Sequence, residues 1–314
     1  MIRPARTAFL RNVLTVLSAC ASPAAMTAQS ERASNEPIHP LPAPTGLDPA
    51  RVALGARLFR ASRLSGDGRL SWQSCHDIGS NGAGHRALNE VDGRPPPVFN
   101  TPAVFNATLS FRLNRGGELR TLHEQALASL QNPGEMRADV ATLVRRLRGD
   151  AGSVRDFERA YRRPPDRVTL LDAIASDERA LTMPGSRLDR WLQGDDDALT
   201  TQELRGYRSC KSVGCIACHQ GRGVGGNLFQ RSGVFSPAAR HSVARLRVPS
   251  LRNVDATAPY FHDGSAPTME WAIDAMAQAQ LAVVLRREEI ADIAAFLRAL
   301  TGNHDGHPVT DRPR

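Results

Sequence analysis

The stretch GCIACHQGRGVGG, residues 214–226, decides how the chain is read. Cys215 and Cys218 stand two residues apart and His219 follows at once. At this spacing two thiols add to the two vinyl groups of one haem, and the adjacent imidazole is held beneath the iron as axial ligand. With five cysteines and nine histidines in 314 residues, chance yields roughly 0.002 such motifs per chain, so the signal is specific. A zinc site would need a second ligand pair and a thioredoxin-like site a βαβ setting. Neither is visible.

The flanks of the motif read as helices. Thr200 and Glu203 fit a capping box, and Leu204 with Tyr207 gives an apolar face leading into the loop. In EEIADIAAFLRALTG, Ile290, Ile293, Ala294 and Leu297 fall at helical core spacing, closed by Gly302. Between them Thr268 caps a third pattern with Met269, Ala272, Ile273 and Met276 on one stripe. Periodicity alone leaves Met276 open as a core residue or as a sulfur ligand. Helical patterns also dominate elsewhere, as in MRADVATLVRRLRG, and no run of alternating strands stands out. The expected fold is all-α.

A second stretch resembles half of the first. In SWQSCHDIGSNGAGH, residues 71–85, Cys75 and His76 close a motif whose first cysteine position holds Trp72. Cys210, Cys215 and Cys218 crowd within nine positions, which argues against separate disulfides bracing the fold.

The length allows about two domains. The formal charge of +8 comes from 39 Arg and one Lys spread along the chain with few aromatics among them, which excludes a nucleic-acid patch. Residues 1–28 carry Arg3, Arg6 and Arg11 without an acid, then an apolar run and small residues, the pattern of an export signal. The segment LSAC offers an alternative, a lipoprotein cleavage box with Cys20 as lipid acceptor. Export predicts a periplasmic protein. Residues 29–40 and 304–314 are polar and Pro-rich and read as a flexible segment and a loose tail. Paired prolines in YRRPPDR, residues 161–167, predict the hinge, giving domains over 41–165 and 166–303.

Taken together, the blocks LGARLFRASRLSGDG, FNTPAVFNA, EQALASLQNPGEM, MPGSRLDRWLQGD, GCIACHQGRGVGG, VPSLRNVDATAPYFHDGSAPT and FLRALTG, running from Leu41 to Gly302, resemble the bacterial di-haem cytochrome c peroxidase family, which includes MauG-like enzymes. The resemblance implies two cytochrome c-like domains, each with one haem c, and a calcium ion between them. It implies His219 and Met276 as ligands of the second, electron-transfer haem, and Cys75 and His76 as the thiol and ligand of the first, peroxide-reactive haem. Glu124 matches the acid that moves a proton between the peroxide oxygens, and Asn100, Thr257 and Pro259 match the calcium ligands. It further implies hydrogen peroxide as substrate, a small electron donor such as a c-type cytochrome or a cupredoxin, and a homodimer.

The departures gather in the first domain. Trp72 limits that haem to a single thioether or leaves it absent. Arg115 and Gly116 stand where the family has its inter-haem tryptophan and the following aspartate, and His85 lies several residues early for a distal histidine. Two readings therefore stand: a peroxidase, or an electron carrier whose first domain has lost haem or reactivity. The MauG-like alternative would oxidise a protein side chain instead.

Overall fold

The computed structural model describes residues 35–237 and 245–311. The expected export signal, Cys20 and residues 29–34 of the expected flexible segment lie outside the described residues. The first half is built on α1 (Pro49–Phe59), α2 (Leu122–Gln131), α3 (Val140–Arg148), α4 (Ala151–Tyr161) and α5 (Arg167–Ala180). The second half uses α6 (Arg187–Leu192), α7 (Thr201–Val213), α8 (Met269–Leu281) and α9 (Arg287–Arg298). Among the described residues the only strands are two short antiparallel ribbons, β1 (Phe229–Gln230) with β2 (Leu246–Arg247) and β3 (Asn303–His304) with β4 (His307–Pro308). The all-α expectation holds.

Helix starts follow side-chain chemistry. Asp48 accepts from the N–H groups of Ala50 and Arg51 ahead of α1. Thr121, Thr200 and Thr268 each accept from the third residue of α2, α7 and α8. These bonds satisfy N–H groups that have no partner inside the helix.

Each half closes on one crossing of its first and last long helices. A Cβ added to Gly55 of α1 would lie 2.1 Å from the carbonyl oxygen of Ala173 in α5. One added to Gly206 of α7 would lie 1.9 Å from the carbonyl oxygen of Asp292 in α9. The helices therefore meet backbone to backbone, and only glycine fits. Leu54, Leu58, Leu170 and Ile174 pack around the first crossing, and Tyr207, Ile293, Phe296 and Leu297 around the second.

The construction repeats in finer detail. Asn106 and Asn253 both adopt left-handed backbone ahead of a 3-10 turn, at φ 61° and 60°. Their Oδ1 atoms accept from the N–H of Met183 and of Gly302, each at 2.8 Å. Leu113 bridges Leu119 as Tyr260 bridges Ala266. Asn106 and Asn253, Leu113 and Tyr260, Leu119 and Ala266, and the caps Thr121 and Thr268 are each separated by the same interval of sequence, so two copies of one unit are joined end to end.

Three boundaries expected from composition need correction. Helix α5 belongs to the first core, where Leu170, Leu171, Ala173 and Ile174 are buried, so the first unit extends past residue 165 to about Met183. The prolines after Tyr161 do end a helix, but they connect two helices of one unit. The end of the 29–40 segment is anchored: Ile38 is buried in the second core, and Gly221 donates to the carbonyl of Pro37. The described part of the 304–314 tail, through residue 311, likewise folds back, with Val309 buried in the first core. Arg252, ion-paired to Asp189 at 2.9 Å with both side chains buried, also donates to the carbonyl of His39 and fixes the leading strand.

Asp177 and Glu178 are buried on α5, each with one carboxylate oxygen lacking a hydrogen-bond partner. Burial raises Asp177 to about 6, and burial together with the charge of Asp177 raises Glu178 to about 8.

Two outcomes are expected. Gly206→Ala should cost about 1–3 kcal/mol in denaturant unfolding by forcing α7 from α9; an unchanged midpoint would contradict the close contact. Between about pH 4.5 and 8 the folded chain keeps a proton on Glu178 that the unfolded chain has lost, so stability is full below that window and falls as pH rises through it. Glu178→Gln should flatten this decline in Tm measured across the window, and a wild-type Tm that climbs with pH there would refute the assignment.

Candidate haem sites

The second site forms as α7 ends. Gly214, at φ 104°, stops the helix, and Cys215–Ala217 make one 3-10 turn. The N–H groups of Cys218 and His219 both donate to the carbonyl of Cys215, at 3.2 and 3.0 Å. This turn puts two thiols and the imidazole on one short loop. His219 Nδ1 lies 3.3 Å from the carbonyl oxygen of Val224. Donation from Nδ1 there leaves Nε2 as the nitrogen able to bind a metal. Gly225, at φ +128°, lets the following backbone pass: a Cβ would fall 2.1 Å from the Pro249 carbonyl oxygen and 3.3 Å from His219 Nδ1. Burial lowers the His219 pKa and so favours the neutral, ligating form.

Met276 lies half-buried on α8, outside the packed second core that takes Met269, Ile273 and Ala277 from the same helix. The stripe read from periodicity thus divides into core residues and a sulfur left out of the core. Free thiols at Cys215 and Cys218, an oriented imidazole and a thioether together fit a haem c.

The first loop has the same backbone. Trp72–Ser74 form a 3-10 turn, and the N–H groups of Cys75 and His76 donate to the carbonyl of Trp72 at 3.0 and 2.8 Å. Cys75 sits at φ −114°, ψ −24°, and its counterpart Cys218 at φ −113°, ψ −35°. Trp72 therefore occupies the place of Cys215, and its indole is buried against Phe59 at 6.3 Å between ring centroids. Trp72 Nε1 and Gln73 Oε1 are buried without a hydrogen-bond partner, while the His76 ring bonds the backbone of Gly82 and Pro102 as His219 bonds that of Val224 and Pro249. Buried polar atoms rarely lack partners, so two neighbours in one five-residue loop fit a bound group completing it. Burial holds His76 down to about 4, and the ring is neutral at ordinary pH. Beside it a cavity of about 290 Å³ is lined by Gln73, Cys75, His85, Arg86 and Asn89 among others.

His85 faces Asp77 Oδ2 and Ser80 Oγ, each at 3.3 Å, which makes it a loop residue on the Cys75 side. Glu124 is exposed. Its Oε2 accepts from the N–H groups of Arg120 and Thr121 at 2.7 and 3.2 Å, and these bonds lower its pKa. As placed, it caps α2.

The internal repeat exposes what single motifs did not. Aligned on Thr121 and Thr268, the position of Met276 falls on Ser129, whose buried hydroxyl donates to Glu135. The first unit therefore presents no sulfur ligand from α2. Cys210, five residues before Cys215, is buried beside it and donates its S–H to the Cys215 sulfur, which raises the Cys210 pKa and lowers that of Cys215.

The calcium site implied by Asn100, Thr257 and Pro259 does not fit. The segments are adjacent, since Asn100 N–H donates to the carbonyl of His262 and Asn81 to that of Ala256, each at 2.7 Å. Arg115, however, donates through Nη2 to the carbonyl oxygen of Asn100 at 3.2 Å and to its Oδ1 at 3.3 Å. A calcium ion bonded to Oδ1 at about 2.4 Å would lie within about 6 Å of that nitrogen, where repulsion reaches about 6 kcal/mol at an effective dielectric of about 20.

Comparison with known proteins agrees with this architecture. A family profile described as di-haem cytochrome c peroxidase matches residues 49–197. The chain is 35% identical to a cytochrome c551 peroxidase of Nitrosomonas europaea, over 94% of this chain and 93% of that protein. It is 34% identical to the cytochrome c peroxidase Ccp of Escherichia coli, over 85% of this chain and 62% of that longer protein. The crystal structure of a MauG-like protein associated with microbial copper homeostasis superposes with a TM-score of 0.71 at 28% identity, covering 85% of this chain and 93% of that one.

Removing the Cys210 thiol should raise the pKa of Cys215. In the haem-free protein, Cys210→Ala is expected to move the pH midpoint of Cys215 alkylation upward; an unmoved midpoint would separate the two thiols.

Proposed function

The chain belongs to the di-haem cytochrome c peroxidase family, and from that premise we propose that it reduces hydrogen peroxide in its first unit with electrons received through its second. The balance is H₂O₂ plus two electrons and two protons giving two waters. Haem c, when attached, supplies a peroxide-reactive iron in the first unit and a one-electron relay in the second. Cys215 and Cys218 would hold the second group, and His219 and Met276 would be its ligands. A His/Met pair raises the reduction potential, which suits electron entry.

In the first unit Cys75 would supply a single thioether and His76 the ligand. The carrying observation is the pairing of a preserved loop with a changed helix: the Trp72–His76 backbone matches Cys215–His219, while Ser129 stands opposite Met276. His76 would then be the ligand this loop and helix offer to a haem in the first unit, and the missing sulfur on α2 would leave room for peroxide to bind. Glu124 is the group proposed to move the proton. Its lowered pKa makes it an acceptor first, and it must leave its helix cap to act. The export pattern in residues 1–28 supports a periplasmic location and a small periplasmic redox protein as donor.

A second reading, an electron carrier with no reactive haem in the first unit, draws on the Trp72 indole packed on Phe59 where a thiol would stand. Mass spectrometry of the denatured holoprotein separates the two. Two haem increments, falling to one in Cys75→Ala, are expected for the peroxidase. Peroxide turnover with a reduced c-type cytochrome should disappear in His76→Ala. Holoprotein with a single increment that persists in Cys75→Ala, and without peroxide turnover, would replace the peroxidase by the carrier.

A further inference from the structure

The junction between the two units carries a positive charge that the resemblance did not supply. Arg115 sits in a loop whose own carbonyl accepts from the N–H of Arg247 on β2 at 3.0 Å. Phe111 N–H donates to Gly226, so the loop is fastened to the second unit at both ends. From there the guanidinium reaches Asn100 in the first unit. Asn100 is itself buried, and its Nδ2 donates to the carbonyls of Arg86 and Ala87, each at 3.1 Å. Two carbonyl acceptors fix which end of the amide is NH₂, so Oδ1 must face Arg115.

A calcium ion needs six to eight oxygen ligands, and its affinity rises with the negative charge that they carry. Among the described residues no group of three or more His, Cys, Asp or Glu side chains is placed to hold a metal. The Asn100 oxygens already receive two charge-assisted bonds from a planar cation. Arg115 stays protonated at neutral pH even though burial, with Arg247 nearby, lowers it to about 10.

We infer that Arg115 takes over within the chain the role of the inter-domain calcium, its guanidinium holding Asn100 so that the two units are joined without a metal. A covalently tethered cation cannot be lost to dilution or to a chelator. The relative placement of the units then becomes independent of calcium.

The test uses the purified holoprotein. After passage over excess EGTA and then over calcium-containing buffer, elemental analysis should find no bound calcium in the wild type, and Tm should be the same in EGTA and in calcium chloride. Arg115→Gln removes the charge and should lower Tm in EGTA, with calcium chloride restoring several degrees. Arg115→Lys keeps a charge and should remain indifferent to calcium. A stoichiometric calcium in the wild type whose removal lowers Tm would overturn the inference whatever the variants do. Failure of calcium to stabilise a folded Arg115→Gln would overturn it as well, because the guanidinium would then not stand in the place of the metal.

Discussion

Everything in the fold depends on two places where helix backbones touch. At Gly55 against Ala173, and at Gly206 against Asp292, no side chain separates the first and last long helices of a unit. That contact sets the crossing, and the crossing decides where the loop after the first helix emerges. Both thiol-histidine loops follow that helix, so the geometry of each site descends from one missing Cβ. The buried leucines of one unit and the aromatic residues of the other then fill the space around a crossing that is already fixed.

On this shared frame the two units differ in the donor atoms that they present. The second keeps both cysteines and offers a sulfur from α8. The first has the same loop backbone and the histidine, yet puts an indole where the second unit has a thiol and a hydroxyl where the second unit has the sulfur. In the proposed function, His219 with Met276 would suit a haem that passes electrons, and His76 without a sulfur partner on α2 would suit one that binds a small oxidant. The asymmetry thus lies in two residues, Trp72 and Ser129, rather than in the fold.

Much of this was legible in the sequence. The Cys215–His219 motif, the threonine caps and the helical core spacing of α9 translate directly into structure, because each rests on short-range chemistry. The unit boundary was not legible. Prolines after Tyr161 mark a helix end, and local signals cannot tell whether the next helix packs backwards or forwards. Met276 was equally ambiguous, since a stripe shows which side chains share a face and not which of them the core leaves out. Arg115 could be seen as a departure from the resemblance, but its bond to Asn100 joins residues in different loops and has no sequence signature. Ser129 was within reach: the equal spacing of Asn106 with Asn253 and of Thr121 with Thr268 was present in the sequence as a weak internal repeat.

The segments flanking the two units cross over. Ile38, ahead of the first unit, is plugged into the second core, while Val309, beyond the second unit, is plugged into the first. Each half borrows an apolar anchor from the far side of the other, as two clasped hands do. Such reciprocal lending ties the melting of one half to that of the other, so the protein should come apart in one concerted transition, and neither half would survive excision intact.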